Sequence, residues 1–181
     1  MKKTIFITGT PCTGKTTVSE VLSEKLDCKL IKINDLAIEN DFILGIVEDK
    51  GYKIIDIPAL NEKVLEIISN SEGLLIFEGH LAHLCLGADQ VIVLRVRPEI
   101  LEHRLKARNY SEAKIRENLE AEAMGVCSAE AYEIYESNVS EIDASDLTVK
   151  EIVDNLCEFI YGKETLSFGE IDYMDWLISN I

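Results

Sequence analysis

Apolar and polar residues follow two distinct patterns along this chain. Short apolar runs rich in β-branched residues predict buried strands, and apolar residues three or four positions apart predict helices. The strand pattern covers residues 4–8, 28–33, 73–77 and 90–94. The helical pattern covers 15–26, 34–40, 61–69, a segment that begins at Pro98, a long stretch from about Glu112, and 148–161. This alternation predicts a parallel sheet with helices on both faces.

Local signals refine these boundaries. Asn34 or Asp35 can cap the helix after the second strand, and Pro98 suits the first turn of its helix. The pattern from 41 to 58 is irregular and contains Gly45, Gly51 and Pro58, so no regular element is predicted there.

The composition is that of a single globular domain spanning 1–181. With 181 residues, 47% of them apolar, the chain can bury a substantial core. No apolar run reaches the length of a membrane span. The apolar start at 4–8 leads directly into a glycine-containing loop, which favours a buried strand over a signal peptide. The five cysteines lack CxxC spacing, which predicts free thiols in the cytoplasm.

The charge is strongly negative, with 33 acidic against 18 basic residues and a net charge of −15. This balance argues against tight binding to nucleic acid, which requires cationic groups. It permits a basic protein partner. A solvated, self-repelling surface is the alternative interpretation.

Residues 7–17, ITGTPCTGKTT, carry the strongest motif. They contain G-x-x-x-x-G-K-[ST] between a predicted strand and a predicted helix, the context of a phosphate-binding loop. Backbone N–H groups of such a loop converge on phosphate oxygens. Its lysine places a charge on the β- and γ-phosphates, and its threonine hydroxyl can ligate Mg²⁺. We predict that the loop binds ATP through Gly9, Pro11, Cys12, Thr13, Gly14, Lys15, Thr16 and Thr17.

Polar residues follow the next apolar run, in LLIFEGH. Glu78 and His80 fall at the carboxyl end of strand 73–77, the edge of a parallel sheet where the loop also lies. Glu78 is therefore predicted to hold the water shell of a magnesium ion, with a solvated glutamate as the alternative. His80 either orients water or phosphate, or is a packed histidine, and His83 is predicted to be structural.

Five arginines cluster between 95 and 116 in this acidic chain. They are Arg95, Arg97, Arg104, Arg108 and Arg116. Phosphoryl transfer requires cations over the developing charge, and Arg108 falls where a helix should end at the edge of a lid. A solvated basic face is the alternative for any one of them.

The motifs, taken in order, resemble those of one kinase family. The segments GTPCTGKTT, INDLAIEN, FEGHLAHL, VIVLRVRPEILEHRLKARNYSEAKIRENLEAEA and VKEIVDNLCEFI are similar to those of small nucleoside monophosphate kinases of the adenylate kinase isoenzyme 6 type. These are also called coilin-interacting nuclear ATPase proteins, and this chain resembles an archaeal member. The resemblance extends to about Tyr161.

This resemblance implies a P-loop NTPase with a doubly wound five-stranded parallel sheet and a short lid at about 107–117. It implies a monophosphate-binding region at about 30–52, with Asp35 near the acceptor and Arg108 on ATP. It makes Glu78 the Walker B carboxylate and His80 a catalytic histidine linked to ATPase activity. It also implies Mg²⁺-dependent exchange among ATP, AMP and ADP, ATP hydrolysis, and a role in small ribosomal subunit maturation with a ribosomal protein partner.

Two residues depart from the family pattern, and the C-terminal extension lies beyond the part that resembles the family. Cys12 stands where the family has glycine, and it is predicted to be a small apolar filler, with a redox switch as the alternative. Glu78 stands where eukaryotic members tend to have aspartate. The acidic, aromatic extension at about 162–181 is predicted to dock on the domain, with a partner-binding arm as the alternative.

Two other functions remain open at this point. One is a P-loop kinase for a different small acceptor. The other is an ATP-dependent assembly switch with little kinase activity. The rate of ADP formation from ATP and each monophosphate distinguishes these functions.

Overall fold

A five-stranded parallel sheet forms the centre of the molecule. The computed structural model describes residues 3–47 and 52–180. These residues contain seven strands: β1 (Lys3–Thr8), β2 (Lys29–Lys32), β3 (Ile43–Val47), β4 (Tyr52–Ile55), β5 (Leu74–Glu78), β6 (Gln90–Arg95) and β7 (Val139–Asp143). Five of them pair in parallel in the order β2-β5-β1-β6-β7. The apolar runs in the middle of β1, β5 and β6 suit strands buried on both faces.

Helices cover both faces of this sheet. In the described ranges they are α1 (Lys15–Leu26), α2 (Ile33–Glu39), α3 (Ile57–Ser69), α4 (Pro98–Ala107), α5 (Glu112–Ala123), α6 (Val126–Tyr135), α7 (Val149–Ile160) and α8 (Met174–Asn180). One apolar cluster joins α1, α4, α5 and α7 to the sheet, and a second joins α2, α3 and α6 to it. The predicted doubly wound P-loop α/β fold is confirmed.

Two predicted helix starts were wrong. Helix α2 begins at Ile33 with Lys32 as its N-cap and no capping side chain, so neither Asn34 nor Asp35 caps it. Helix α3 begins at Ile57, four residues before the predicted start at 61. There the Asp56 carboxylate accepts a hydrogen bond from the Ala59 amide at 3.0 Å, and Pro58 in the first turn has no N–H group that would need a partner.

The long helical stretch from Glu112 is two helices. Gly125 separates α5 from α6 with a φ of 65°, a left-handed conformation that side chains rarely adopt. The predicted lid at 107–117 corresponds to a turn at 108–111 followed by the first half of α5. Strand β7 had no apolar signal because Ser140 and Glu141 are buried polar residues.

The segment predicted to be irregular, 41–58, contains an antiparallel pair of strands. Strand β3 pairs with β4, with a register shift between Ile43 and Gly45. This irregularity explains why the alternation of a regular strand was weak in the sequence. Residues 48–51 of the predicted monophosphate-binding region lie outside the described residues.

The C-terminal extension docks on the domain, as predicted. The ring of Phe168 stacks on Tyr132 with centroids 4.9 Å apart. The Gly169 amide donates a hydrogen bond to Glu141 Oε2 at 2.8 Å, and Trp176 packs against the apolar cluster that includes α5. Within 3–47 and 52–180, none of the helices has the length and apolar character that crossing a membrane requires.

Candidate active site

The loop between β1 and α1 is shaped by close backbone contacts. Gly9 has a φ of 137°, and a Cβ there would lie 2.4 Å from the Leu94 carbonyl oxygen of β6. Gly14 has a φ of 106° and is the N-cap of α1. Both positions therefore require glycine for backbone reasons. The backbone of Cys12 also has a positive φ, 69°, which is the conformation that a glycine would adopt without strain.

Lys15 lies folded against this loop and is only 7% exposed. Its Nζ donates a hydrogen bond to the Thr10 carbonyl at 2.9 Å. The Thr13 hydroxyl donates to the same carbonyl at 2.9 Å, and the Thr13 amide does so at 3.3 Å. Burial lowers the pKa of Lys15, and the nearby carboxylate of Glu78 opposes that shift. The ammonium group thus lies at the loop with its charge held by backbone oxygen and neighbouring carboxylates.

The predicted magnesium ligands lie side by side. The Thr16 hydroxyl donates to Glu78 Oε1 at 3.3 Å, at the carboxyl end of β5. Burial raises the pKa of Glu78, while Lys15 and Thr16 oppose the shift. A hydroxyl and a carboxylate are the hard oxygen donors that Mg²⁺ prefers. Among the described residues, no group of three His, Cys, Asp or Glu side chains could hold a metal ion.

The two histidines near the loop differ in their surroundings. His80 lines the cleft beside Glu78, and burial lowers its pKa to about 4, so its imidazole is neutral near pH 7. His83 is buried, with Nδ1 2.7 Å from the Thr8 hydroxyl and Nε2 2.9 Å from Glu130 Oε2. His83 therefore has a structural position, as predicted.

One of the five clustered arginines lines the cleft that also contains Lys15 and Glu78. Arg95 is buried in ion pairs with two glutamates, Arg97 pairs with Asp146 and Arg116 pairs with Glu120. Arg104 Nη1 of α4 donates to the Cys12 and Thr13 carbonyls at 3.4 and 3.2 Å and so stabilises the loop. Of these five residues, Arg108 lines the larger cleft, at the end of α4.

The larger cleft, about 550 Å³ in volume, opens over the loop. Its walls come from the loop, the end of β5, α2, β4, the 108–111 turn and α5. The lining residues are Pro11, Cys12, Lys15, Thr16, Asn34, Tyr52, Glu78, Gly79, His80, Arg108, Tyr110, Lys114, Glu117, Asn118 and Ala121. Asp35, predicted to lie near the acceptor, is exposed and does not line this cleft, whereas its neighbour Asn34 does.

One wall of this cleft was not predicted from the sequence. The Tyr52 hydroxyl of β4 donates to Glu117 Oε2 of α5 at 2.9 Å, and Lys114 Nζ lies 4.5 Å from the centre of the Tyr52 ring. Burial and the Glu117 hydrogen bond raise the pKa of Tyr52 to about 12. The helical spacing of Lys114, Asn118 and Ala121 was visible in the sequence, but nothing local indicated that β4 faces it.

A second cleft of about 390 Å³ lies on the other side of the loop. Loop and helix residues form one wall of it, and apolar residues of the segment 144–152 form the other. It is lined by Cys12, Thr13, Gly14, Thr17, Val18, Arg104, Ala107, Arg108, Ala144, Leu147, Val149 and Ile152. Cys12 and Arg108 line both clefts, whereas Gly9 lines neither. Cys12 also packs partly buried against the apolar cluster of α1 and α4, which fits the filler interpretation.

Known proteins resemble this chain in sequence and in fold. Residues 5–125 match the family model described as "AAA domain". A Methanothermobacter thermautotrophicus protein named "Putative adenylate kinase" is 40% identical over 96% of this chain and 99% of its own length. A Methanocaldococcus jannaschii protein of the same name is 38% identical over 98% of both chains.

A solved structure supports the fold alone. The shikimate kinase from Acinetobacter baumannii in complex with shikimate is 16% identical to this chain, with a TM-score of 0.62. The match covers 90% of this chain and 94% of that one. At this identity the likeness extends to the arrangement of strands and helices.

Proposed function

We propose a phosphotransferase function from one premise: this chain belongs to the AAA domain family and to the family of archaeal proteins named "Putative adenylate kinase". The reaction is transfer of the γ-phosphoryl group of ATP to a nucleoside monophosphate, with AMP as the first acceptor to test. One observation carries the proposal. Two clefts flank a single phosphate loop and share Cys12 and Arg108, the arrangement needed for a donor and an acceptor that meet at one phosphate.

The smaller cleft is the proposed donor site. Its wall at 144–152 offers Ala144, Leu147, Val149 and Ile152 to a flat, apolar base. From there the phosphates of ATP would run along the loop amides to Lys15. Thr13, Gly14 and Thr17 line the smaller cleft along this path, and Thr16 lines the larger cleft.

Thr16 and Glu78 are the residues that would hold Mg²⁺. When bound, the ion neutralises phosphate charge and orients the phosphates for in-line attack. Lys15 and Arg108 supply the fixed cations over the transferring group, which lower the barrier because charge develops there in the transition state.

The larger cleft is the proposed acceptor site. Asn34, Tyr52, Lys114 and Asn118 give it hydrogen-bonding groups and a positive charge, which suit a nucleotide monophosphate. Asp35 keeps its proposed role near the acceptor through its adjacency to Asn34. Residues 30–52, the turn and lid at 107–117, and the extension at 162–181 are proposed to act as parts of one kinase domain.

ATP hydrolysis is the second proposed activity, and His80 is the observation that favours it. An imidazole that is neutral at pH 7 and lies beside Glu78 can orient a water molecule for attack. A protein that used ATP mainly in this way would be an assembly switch with slow turnover.

The proposed biological setting is the cytoplasm, in maturation of the small ribosomal subunit. The support is the resemblance to the adenylate kinase isoenzyme 6 type and the net charge of −15, which favours a basic ribosomal protein as partner and disfavours tight binding to RNA. Attraction of this kind weakens with salt because exposed charges are screened over about 8 Å at physiological ionic strength.

One assay tests these proposals together. ADP formation is measured from Mg·ATP with AMP, GMP, CMP and UMP in turn, and with shikimate as a non-nucleotide acceptor. Rapid ADP formation with one monophosphate supports the kinase. Slow hydrolysis that no acceptor accelerates, but that a basic small-subunit ribosomal protein does, supports the switch.

A further inference from the structure

We propose that Glu122 is a positioning residue: through Thr10 it fixes the phosphate loop relative to helix α5, which lines the larger cleft. This inference rests on the proposed phosphotransferase function for its kinetic consequence. Its structural part rests on a buried polar network under the loop, which the sequence analysis did not detect.

Glu122 lies near the end of α5 and is 1% exposed. Its Oε2 accepts a hydrogen bond from the Thr10 hydroxyl of the loop. Its Oε1 accepts from Arg95 Nε at 2.9 Å and from the Val96 amide at 3.0 Å. One carboxylate therefore ties the loop after β1 to the residues that end β6.

Thr10 is the residue that organises the loop. Its carbonyl accepts hydrogen bonds from Lys15 Nζ and from both the hydroxyl and the amide of Thr13. The Thr10 side chain is 2% exposed and points to Glu122, away from both clefts. Fixing the Thr10 hydroxyl therefore fixes the peptide on which the Lys15 ammonium rests.

Helix α5 connects this anchor to the acceptor side. Asn118 and Ala121 of the same helix line the larger cleft, while Glu122 contacts Thr10 of the loop. The helix thus carries both the cleft wall and the loop anchor on a rigid element. A group held indirectly in this way loses precision when its anchor is removed, and supporting contacts of this kind typically contribute about 10- to 100-fold to activity.

The same network contains a matched control. Arg95 Nη1 donates to Glu141 Oε1 at 2.6 Å, and Glu141 Oε2 accepts from the Gly169 amide of the C-terminal extension. Glu141 is 5% exposed and shares Arg95 with Glu122, but it contacts the extension and not the loop. Changing either glutamate disturbs the same buried arginine, and only one of them disturbs Thr10.

The experiment compares Thr10→Val, Thr10→Ser, Glu122→Gln and Glu141→Gln with the wild-type chain. Thr10→Val replaces the hydroxyl by a methyl group of similar size. It therefore tests the role of the Thr10–Glu122 hydrogen bond even if Glu122→Gln folds poorly. We expect Thr10→Val and Glu122→Gln to lower kcat for phosphoryl transfer about 10- to 100-fold. The Kd for ATP should change less than about 3-fold, and Thr10→Ser should restore kcat because serine keeps the donor.

Hydrogen exchange provides a readout independent of catalysis. The Thr13 amide, which donates to the Thr10 carbonyl at 3.3 Å, should exchange at least about 10-fold faster in Thr10→Val and Glu122→Gln, and at the wild-type rate in Glu141→Gln. Unchanged exchange in Thr10→Val, or an equal loss of kcat in Glu141→Gln, would overturn the proposal. A wild-type chain that transfers no phosphoryl group would refute the proposed function, while the exchange rates would still decide whether Glu122 positions the loop.

Discussion

Two glutamates contact the phosphate loop near its two ends, Glu122 at Thr10 and Glu78 at Thr16, and their surroundings differ. Glu122 accepts hydrogen bonds from Thr10, Arg95 and the Val96 amide. Among the described residues, Glu78 accepts one long hydrogen bond, at 3.3 Å from Thr16, and burial raises its pKa. Removing one partner of a buried ion pair such as Arg95–Glu122 costs about 3–5 kcal/mol, because the other charge is left buried and unpaired. A buried carboxylate with few partners gains most from a cation supplied with the substrate.

Lys15 lies within electrostatic range of both carboxylates, so its removal should have the largest effect. Lys15→Met should lower phosphoryl transfer by at least about 100-fold, since a fixed charge over the transferring phosphate is lost. The fold should remain, because Lys15 makes its hydrogen bond to a backbone carbonyl only. The measurement is the steady-state rate of ADP formation, alongside thermal unfolding.

The matched control for this change is Lys25→Met. Lys25 lies on the same helix, α1, and pairs at the surface with Asp154 at 2.5 Å. It should retain full activity. Full activity in a folded Lys15→Met protein would rule out the loop as the site of transfer.

Glu78→Gln should separate the two carboxylates by function. With Mg²⁺ we expect turnover to fall about 10- to 100-fold, because the amide holds the ion's ligands less well. Without Mg²⁺ the Kd for ATP should be unchanged. ATP titrations with and without Mg²⁺, together with rates, measure this.

The control for Glu78→Gln is Glu72→Gln, at an exposed position two residues before the same strand, and it should behave as the wild type. An equal loss of ATP binding with and without the ion would contradict the role of Glu78. Glu122→Gln should show the opposite profile, with a lower free energy of unfolding and no change in magnesium dependence.

The two sides of the loop also differ in how well the sequence predicted them. Glu78 follows an apolar strand, and Lys15 lies in a local motif, so short-range patterns located both. Glu122 lies in ENLEAEA, where it looks like any other acidic residue of a solvated helix. Its burial depends on Arg95, 27 residues away in sequence, and such tertiary pairing leaves no local signal.

The fold shows the same division. Local sequence signals predicted the core strands β1, β2, β5 and β6 and the start residues of α1, α4 and α5. Strand β7 was missed because Ser140 and Glu141 are buried and their polarity is satisfied by Ser128, Arg95 and the extension. The β3–β4 pair was missed because its register is irregular at Ile43 and Gly45.

The pH dependence of stability should reveal how strongly the half-buried position of His80, beside Glu78, disfavours its protonation. Its pKa is lowered to about 4 in the folded protein from an ordinary 6.5. Between these values the unfolded chain binds a proton that the folded chain does not, so this contribution to stability is present above pH 6.5 and is lost as the pH falls toward 4. The effect is isolated by the difference in unfolding free energy between the wild type and His80→Gln, measured by urea unfolding.

We expect that difference in unfolding free energy to shrink from pH 7 to pH 4.5 and to be constant between pH 7.5 and 8.5. The constant region is the internal control, since neither state of His80 titrates there. A difference that grows as the pH falls would mean that His80 is protonated in the folded protein, and the water-orienting role proposed for it would be wrong.

The smallest predicted effect concerns the far wall of the larger cleft. Tyr52→Phe removes the hydroxyl that donates to Glu117 at 2.9 Å but keeps the ring near Lys114. A single hydrogen bond of this kind contributes about 0.5–1.5 kcal/mol. Because the bond joins β4 to α5 across the acceptor side, we expect the KM for the monophosphate to rise about 2- to 10-fold, with the KM for ATP unchanged. Tyr161→Phe, at an exposed tyrosine after α7, is the control. A rise in the KM for ATP instead would assign the larger cleft to the donor and reverse the proposed order of the two substrates around the loop.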